Sequence, residues 1–198
     1  MGRSAKIVTT IGVVVILIIF YHFISTKLMH RETKKVDMPV IERVDLTEEW
    51  KEYRPQTERF SVTFPTTPQH AAQMIPVPDG DGFIRYDMYL ALSRKGATFM
   101  INVIEYPATF NMADVDSLLN GVMREMIGGN PSNALLNSNH GTFDGNPCLE
   151  FLLHNKKATM KTMVVQKDHT IYVLSAADIT QELAEEGFKK LENSFKIQ

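Results

Sequence analysis

The sequence predicts an α+β protein, with an N-terminal transmembrane helix followed by a largely antiparallel sheet that carries a helix on each face. Three observations carry that reading. Residues 7–24, IVTTIGVVVILIIFYHFI, contain no Asp, Glu, Lys or Arg. Residues 97–106 read as a strand that is apolar on both faces, with Phe99, Ile101 and Val103 on one side and Met100 and Ile104 on the other; such a strand must be covered on both sides. Two later stretches, 113–127 and about 181–193, repeat apolar residues at helical spacing and supply the covers.

The apolar run comes first in the chain. About 18–20 helical residues cross a hydrocarbon layer of roughly 30 Å, and intrahelical bonding satisfies the backbone groups that lipid cannot. A cleaved signal peptide would end in a small-x-small site, whereas Tyr21-His22-Phe23-Ile24-Ser25-Thr26-Lys27 is bulky where small residues are needed. Val13-Val14-Val15-Ile16 has no polar face, unlike a buried soluble helix. Lys6 stands where a myristoylation motif wants Ser or Thr. The run therefore reads as an uncleaved, single-pass signal anchor. Basic residues lie on both sides of it, Arg3 and Lys6 before and Lys27, Arg31, Lys34 and Lys35 after. The short basic tail followed at once by the hydrophobic run favours amino terminus in and an extracytoplasmic domain.

The resulting organisation is a basic tail at 1–6, the anchor at 7–24, a tether at 25–56 and one globular domain at 57–198. A domain of about 140 residues can bury most of its apolar surface unaided. The formal net charge of −2 gives no basis for nucleic-acid binding. A lone cysteine, Cys148, excludes an intrachain disulfide. In the tether, Thr47-Glu48-Glu49-Trp50 fits the start of a short helical turn, and Trp50 and Tyr53 are aromatics suited to packing on the domain.

Within the domain, Arg59-Phe60-Ser61-Val62-Thr63-Phe64 alternates as a strand ended by Pro65. A polar stretch up to Ile75 and the turn-rich residues 76–82 read as connection. Asp79 and Asp81 resemble the start of a calcium loop, but the remaining ligands are missing and a loop tip is expected. Residues 83–92 place Ile84, Tyr86, Met88, Leu90 and Leu92 on one face and Arg85, Asp87 and Ser93 on the other. The helix at 113–127 sets Val115, Leu118, Leu119, Val122, Met123 and Met126 along one stripe, with Asn111 as cap and Gly128-Gly129 as stop. Four strands follow, at 134–143, 147–153, 158–166 and 169–177. The last helix carries Ala184, Phe188 and Leu191, with Phe195 continuing the spacing beyond it, and Asp178 or Thr180 as cap.

Phe60-Ser61-Val62-Thr63-Phe64-Pro65 with Pro68, the middle helix, the Asp144-Gly145-Asn146-Pro147 turn and Leu191-Glu192-Asn193-Ser194-Phe195 together resemble the PsbP-like domain family, over roughly residue 50 to the end. The resemblance implies an α/β/α sandwich that binds proteins and does not catalyse. It carries over no functional residue, because the matching positions are core and turn residues.

The chemistry search returns no catalytic, cofactor or metal residues. The chain has no P-loop, Gly-x-Ser-x-Gly, Gly-x-Gly-x-x-Gly, His-Glu-x-x-His or cysteine pair. His140, His154 and His169 read as isolated solvated side chains, with no metal spacing between them. A protein-binding or assembly-accessory domain at a membrane surface leads, with another membrane or extracytoplasmic protein as partner. A small-ligand or lipid-binding module is the alternative, since eleven methionines could line an adaptable pocket.

One face is singled out by register. If residues 155–156 and 167–168 are two-residue hairpin loops, Glu150 lies opposite Lys161, Cys148 opposite Met163, and Tyr172 opposite Met163. Leu149, Phe151, Leu153, Met160, Val164, Ile171 and Val173 then share the opposite, core face. Glu150, Lys161 and Tyr172 are thus expected to form a partly open, amphipathic patch where a partner docks.

Overall fold

The computed structural model describes residues 49–57, 59–77 and 82–198. The anchor at 7–24 and the tether as far as residue 48 lie outside them, as does the loop tip at 78–81. Among the described residues no helix is long and apolar enough to cross a membrane.

Strands β1 (Lys51–Tyr53), β2 (Phe60–Phe64), β3 (Gln69–Pro76), β4 (Phe83–Leu92) and β5 (Thr98–Glu105) come first, followed by helix α1 (Val115–Gly128). Then come β6 (Ala134–Phe143), β7 (Asn146–His154), β8 (Thr159–Lys167), β9 (Thr170–Asp178), helix α2 (Gln181–Ser194) and β10 (Lys196–Ile197). Seven strands build one sheet in the order β3-β4-β5-β9-β8-β7-β6, antiparallel throughout. A three-stranded sheet, β1-β2-β10, lies over one end of it.

The sheet separates two cores. On one face Ile84, Tyr86, Met88, Met100, Ile104, Leu149, Phe151, Val164 and Val173 pack against Leu118, Leu119, Val122 and Met126 of α1. Fully burying each such side chain contributes about 1.5–3 kcal/mol, so this stripe fixes the helix. On the other face Tyr89, Phe99, Ile101, Val103, Met163 and Leu174 pack against Phe188 and Leu191 of α2 and against Phe60, Val62 and Phe64 of β2. Both faces of β5 are buried, as its double apolar pattern requires. Helix α2 approaches closely at Gly187, where a Cβ would fall 2.9 Å from the Phe99 ring. Caps are supplied by Asp114 and Thr180, whose side chains accept from Ser117 N and Leu183 N.

Three expectations need correction. The polar stretch before Ile75 is strand β3, missed because Gln69-His70-Ala71-Ala72-Gln73 has little β-branched or aromatic character and owes its conformation to pairing with β4. Asn111 does not cap α1; it accepts from Ala113 N, and Asp114 takes the capping role. Trp50 and Lys51–Tyr53 do not start a helix: β1 pairs with β2, and Trp50 packs edge-on against Phe99 at 4.9 Å, so the packed domain already includes residue 50. Beyond these, the second face of β4 is buried as well, with Asp87, Tyr89 and Ala91 beneath other elements.

Candidate functional site

The register about Glu150, Lys161 and Tyr172 is set by three turns. Asp144 and Gly145, both with positive φ, form a two-residue turn that pairs Phe143 with Asn146. The β7–β8 connection is four residues long, because the Asn155 side chain accepts from both Lys157 N and Ala158 N while Asn155 N donates to Ala158 O. The β8–β9 turn is Asp168-His169, with Asp168 at a φ of 52°. Both turns therefore differ from the two-residue loops at 155–156 and 167–168, and each shifts the pairing by two positions. Glu150 lies opposite Met163, Cys148 opposite Val165, and Tyr172 opposite Val165. A shift of two preserves every side chain's face: of the expected core set, Leu149, Phe151, Leu153, Val164, Ile171 and Val173 are buried together and Met160 packs against them partly buried.

Two of the three expected residues meet. Lys161 Nζ donates to Glu150 Oε2 at 2.6 Å, across a diagonal rather than a direct cross-strand pair. Lys161 Nζ also stands 5.8 Å from the centre of the Phe188 ring. Tyr172 is elsewhere. It lies four residues along β9 from Ala176, the partner of Lys161, which is about 13 Å at strand rise. It is 4% exposed, and its ring meets Phe195 edge-on at 5.8 Å. The expected patch is therefore divided: an ion pair that faces outward and a tyrosine that belongs to the core, its hydroxyl raised by burial.

Around the ion pair the structure adds what the register alone did not. Lys161 forms part of an open groove of about 760 Å³ between α2 and the β6–β7 turn, walled by Phe143, Phe188, Glu192, Phe195 and Lys196 among others. Cations and anions are interspersed around it, over a partly aromatic floor. The Glu192 carboxyl is raised, first by burial and then by the neighbouring Glu150 charge, against opposing pulls from Lys161 and Lys189. The helical residues were legible in principle. Glu185, Lys189 and Glu192 repeat at i, i+4 and i+7, one position after the buried stripe of Ala184, Phe188 and Leu191, so they must flank that stripe.

A second charged cluster lies on the same sheet face at the β3 edge. Asp87 accepts from Arg85 Nε at 2.7 Å and lies 2.8 Å from His70 Nε2, while the His70 ring stacks on Tyr89 at 4.5 Å. Burial alone would raise the Asp87 carboxyl, but its hydrogen bonds and charge interactions with Arg85 and His70 outweigh burial and hold it below the ordinary range. Among the described residues no group of three or more His, Cys, Asp or Glu side chains is arranged to hold a metal ion. The Cys148 thiol is buried and raised, the opposite of an activated nucleophile.

Neither a family model nor a curated protein matches the sequence. Among solved structures, cyanobacterial PsbP (CyanoP) from Synechocystis matches over 81% of this chain and 99% of its own, with a TM-score of 0.52 and 9% identity. The fold is PsbP-like. Also similar are a protein of unknown function from Pseudomonas aeruginosa, PA94, titled a putative regulator (71% of this chain, 91% of that one, 11% identity, TM-score 0.42), and a protein from Bacteroides thetaiotaomicron (75% and 48%, 13% identity, TM-score 0.36). In this PsbP-like chain the groove is bounded by the last helix, by Phe143 and Asp144 at the β6–β7 turn and by strand β10.

Proposed function

We propose that this chain is a membrane-anchored, non-catalytic protein-binding or assembly-accessory domain, and that its partner docks in the groove between α2 and the β6–β7 turn. The single observation that carries the reading is the groove itself, an open, mixed-charge surface in which the partly exposed Phe143 lies above the buried Phe188 and Phe195, a mixture of charge and aromatic lining that polypeptide partners favour. Its cations and anions are interspersed, and Lys161 is held 2.6 Å from Glu150 beside them. An open surface of mixed polarity suits a protein better than the enclosed apolar cavity a lipid or small apolar ligand would want. The charge-free run at 7–24 supports anchoring, with the domain extracytoplasmic.

The test is site-specific crosslinking in intact membranes. A photoreactive side chain at Asn193, in the groove, should give a discrete protein adduct, and the same group at Gln73, on the far edge strand β3, should not. Lys161→Glu, with folding checked by circular dichroism, should abolish the Asn193 adduct. Equal adducts from both positions, or an adduct indifferent to Lys161→Glu, would overturn the reading. Protease added outside the membrane should digest the domain; digestion only after the membrane is lysed would reverse the proposed orientation.

A further inference from the structure

The seven-stranded sheet has two edges, and β6 is unusual for a natural one. It is ten residues long, and its sequence ALLNSNHGTF holds no Asp, Glu, Lys, Arg or Pro. Residues 134–142 are all exposed. Edge strands are normally blunted by lysine, proline, shortness or a covering element, because their unpaired N–H and C=O groups template pairing with another chain. Here one such device is present, a bulge at Leu136, between the pairs Leu135–Leu153 and Asn137–Leu152. The bulge leaves 137–143 as a regular strand with its outer side open.

We propose that this edge pairs with a second copy of the same chain, the two β6 strands running antiparallel across residues 137–143 about a two-fold axis at His140. The proposal goes beyond the groove reading and does not depend on it. Charge is the first argument: two copies of an uncharged strand meet without like charges facing each other, the usual barrier to such pairing. Space is the second. Helix α2 packs mainly on β8 and β9, and α1 on β7 and β8, with Asp116 and Asn120 of α1 reaching the His140 side chain from one face, so the outer backbone edge of β6 stays open for two sheets to approach edge to edge. Self-complementarity is the third. About an axis at His140, Ser138 meets Thr142 and Asn139 meets Gly141, so polar side chains face short or polar ones on each sheet face.

The opposite edge, β3, is also uncharged but offers less. Its middle is Ala71-Ala72, which adds little cross-strand contact, and it ends in Pro76, which has no N–H to donate.

The test uses the full chain in detergent solution, with Cys148→Ala so that one introduced thiol reports. Single cysteines at Asn137, Ser138, Asn139, His140 and Thr142, and at Gln73 on β3, are oxidised and scored for disulfide-linked dimer. Dimer yield should peak at His140, fall on both sides and be absent from Gln73. Register is checked by charge in the His140→Cys chain. Ser138→Lys with Thr142→Lys sets lysine opposite lysine and should cut the crosslinking rate roughly tenfold, while Ser138→Lys with Thr142→Glu sets lysine opposite glutamate and should restore it. A flat profile along β6, a maximum at Gln73, a link to a different protein, or equal rates for the two charge variants would each overturn the proposal. So would sedimentation of the unmodified chain as a monomer at concentrations up to about 100 μM, the weak limit for an interface of this small size.

Discussion

Asp87 and Glu150 are carboxylates on the same face of the same sheet, with three strands between them in the sheet order, and each is gripped by a cation. Their surroundings differ. The Asp87 side chain is 5% exposed, closed over by His70 and Arg85, with Tyr89 and the β1–β2 layer beside it. Glu150 is 33% exposed and its lysine opens onto the groove. A sealed carboxylate must keep its partners, because losing one leaves a charge without water. A carboxylate at the wall of a groove can trade its partner for solvent at little cost, so the same chemistry is structural at one end of the sheet and available for recognition at the other.

The largest effect separating the two clusters is expected from Asp87→Ala. It removes the acceptor of both Arg85 and His70 and leaves a gap, and since those two donors can still reach water the loss should be about 2–3 kcal/mol, read as a lower denaturant midpoint with an unchanged slope. A loss below about 0.5 kcal/mol would make the two clusters alike. The pH dependence follows from the depressed Asp87 carboxyl. Its contribution is present above the ordinary aspartate pKa and is lost as pH falls through the lower, folded-state value. Asp87→Ala should therefore flatten the acid limb of the stability curve below about pH 4.

How much of this was legible in the sequence depends on what each residue's pattern can encode. Strands β2, β4, β5 and β7–β9 and both helices announce themselves, because their periodicity is the direct record of a buried face. Strand β3 is silent, since an edge strand with both faces largely open needs no apolar alternation. Its absence from the sequence reading concealed the His70–Asp87 contact, and with it the reason a charge occupies the interior of β4. The candidate patch failed at Tyr172 for a different reason. Face is fixed by a period of two, which survives a shift of register, but position along the strand depends on where the β8–β9 turn falls, and a turn at Asp168-His169 instead of 167–168 carries Tyr172 two positions further from Lys161. The cover also comes from far away in sequence: Phe195 lies 23 positions after Tyr172 and no local pattern connects them.

A smaller effect is expected at the open cluster. Glu150→Gln and Lys161→Ala should each cost less than about 1 kcal/mol, with a coupling in the double-mutant cycle of the same small size, because the pair is partly solvated. The coupling should shrink further between low and high salt, whereas the Asp87 cluster should respond little. A coupling above about 2 kcal/mol would instead make Glu150–Lys161 a structural pair, leaving the groove less free to rearrange around a partner.

The smallest effect, and the one of opposite sign, is expected at Glu192. Its carboxyl is raised by burial and by the Glu150 charge, so the folded chain holds that proton to a higher pH than the unfolded chain does. In the interval between the two values the folded state binds more protons, and stability must fall as pH rises through it. Above the raised, folded-state value the penalty is fully present. Glu192→Gln removes the charge while keeping the side chain's length, so it should stabilise the domain slightly at pH 7 and have no effect well below the ordinary glutamate pKa. The difference between mutant and parent should therefore open with rising pH, the reverse of the trend for Asp87→Ala. Measured midpoints at about pH 3.5 and pH 7 decide the matter. If Glu192→Gln were destabilising at pH 7, Lys161 and Lys189 would outweigh the burial and repulsion at that carboxyl, and the groove wall would be held together by its charges.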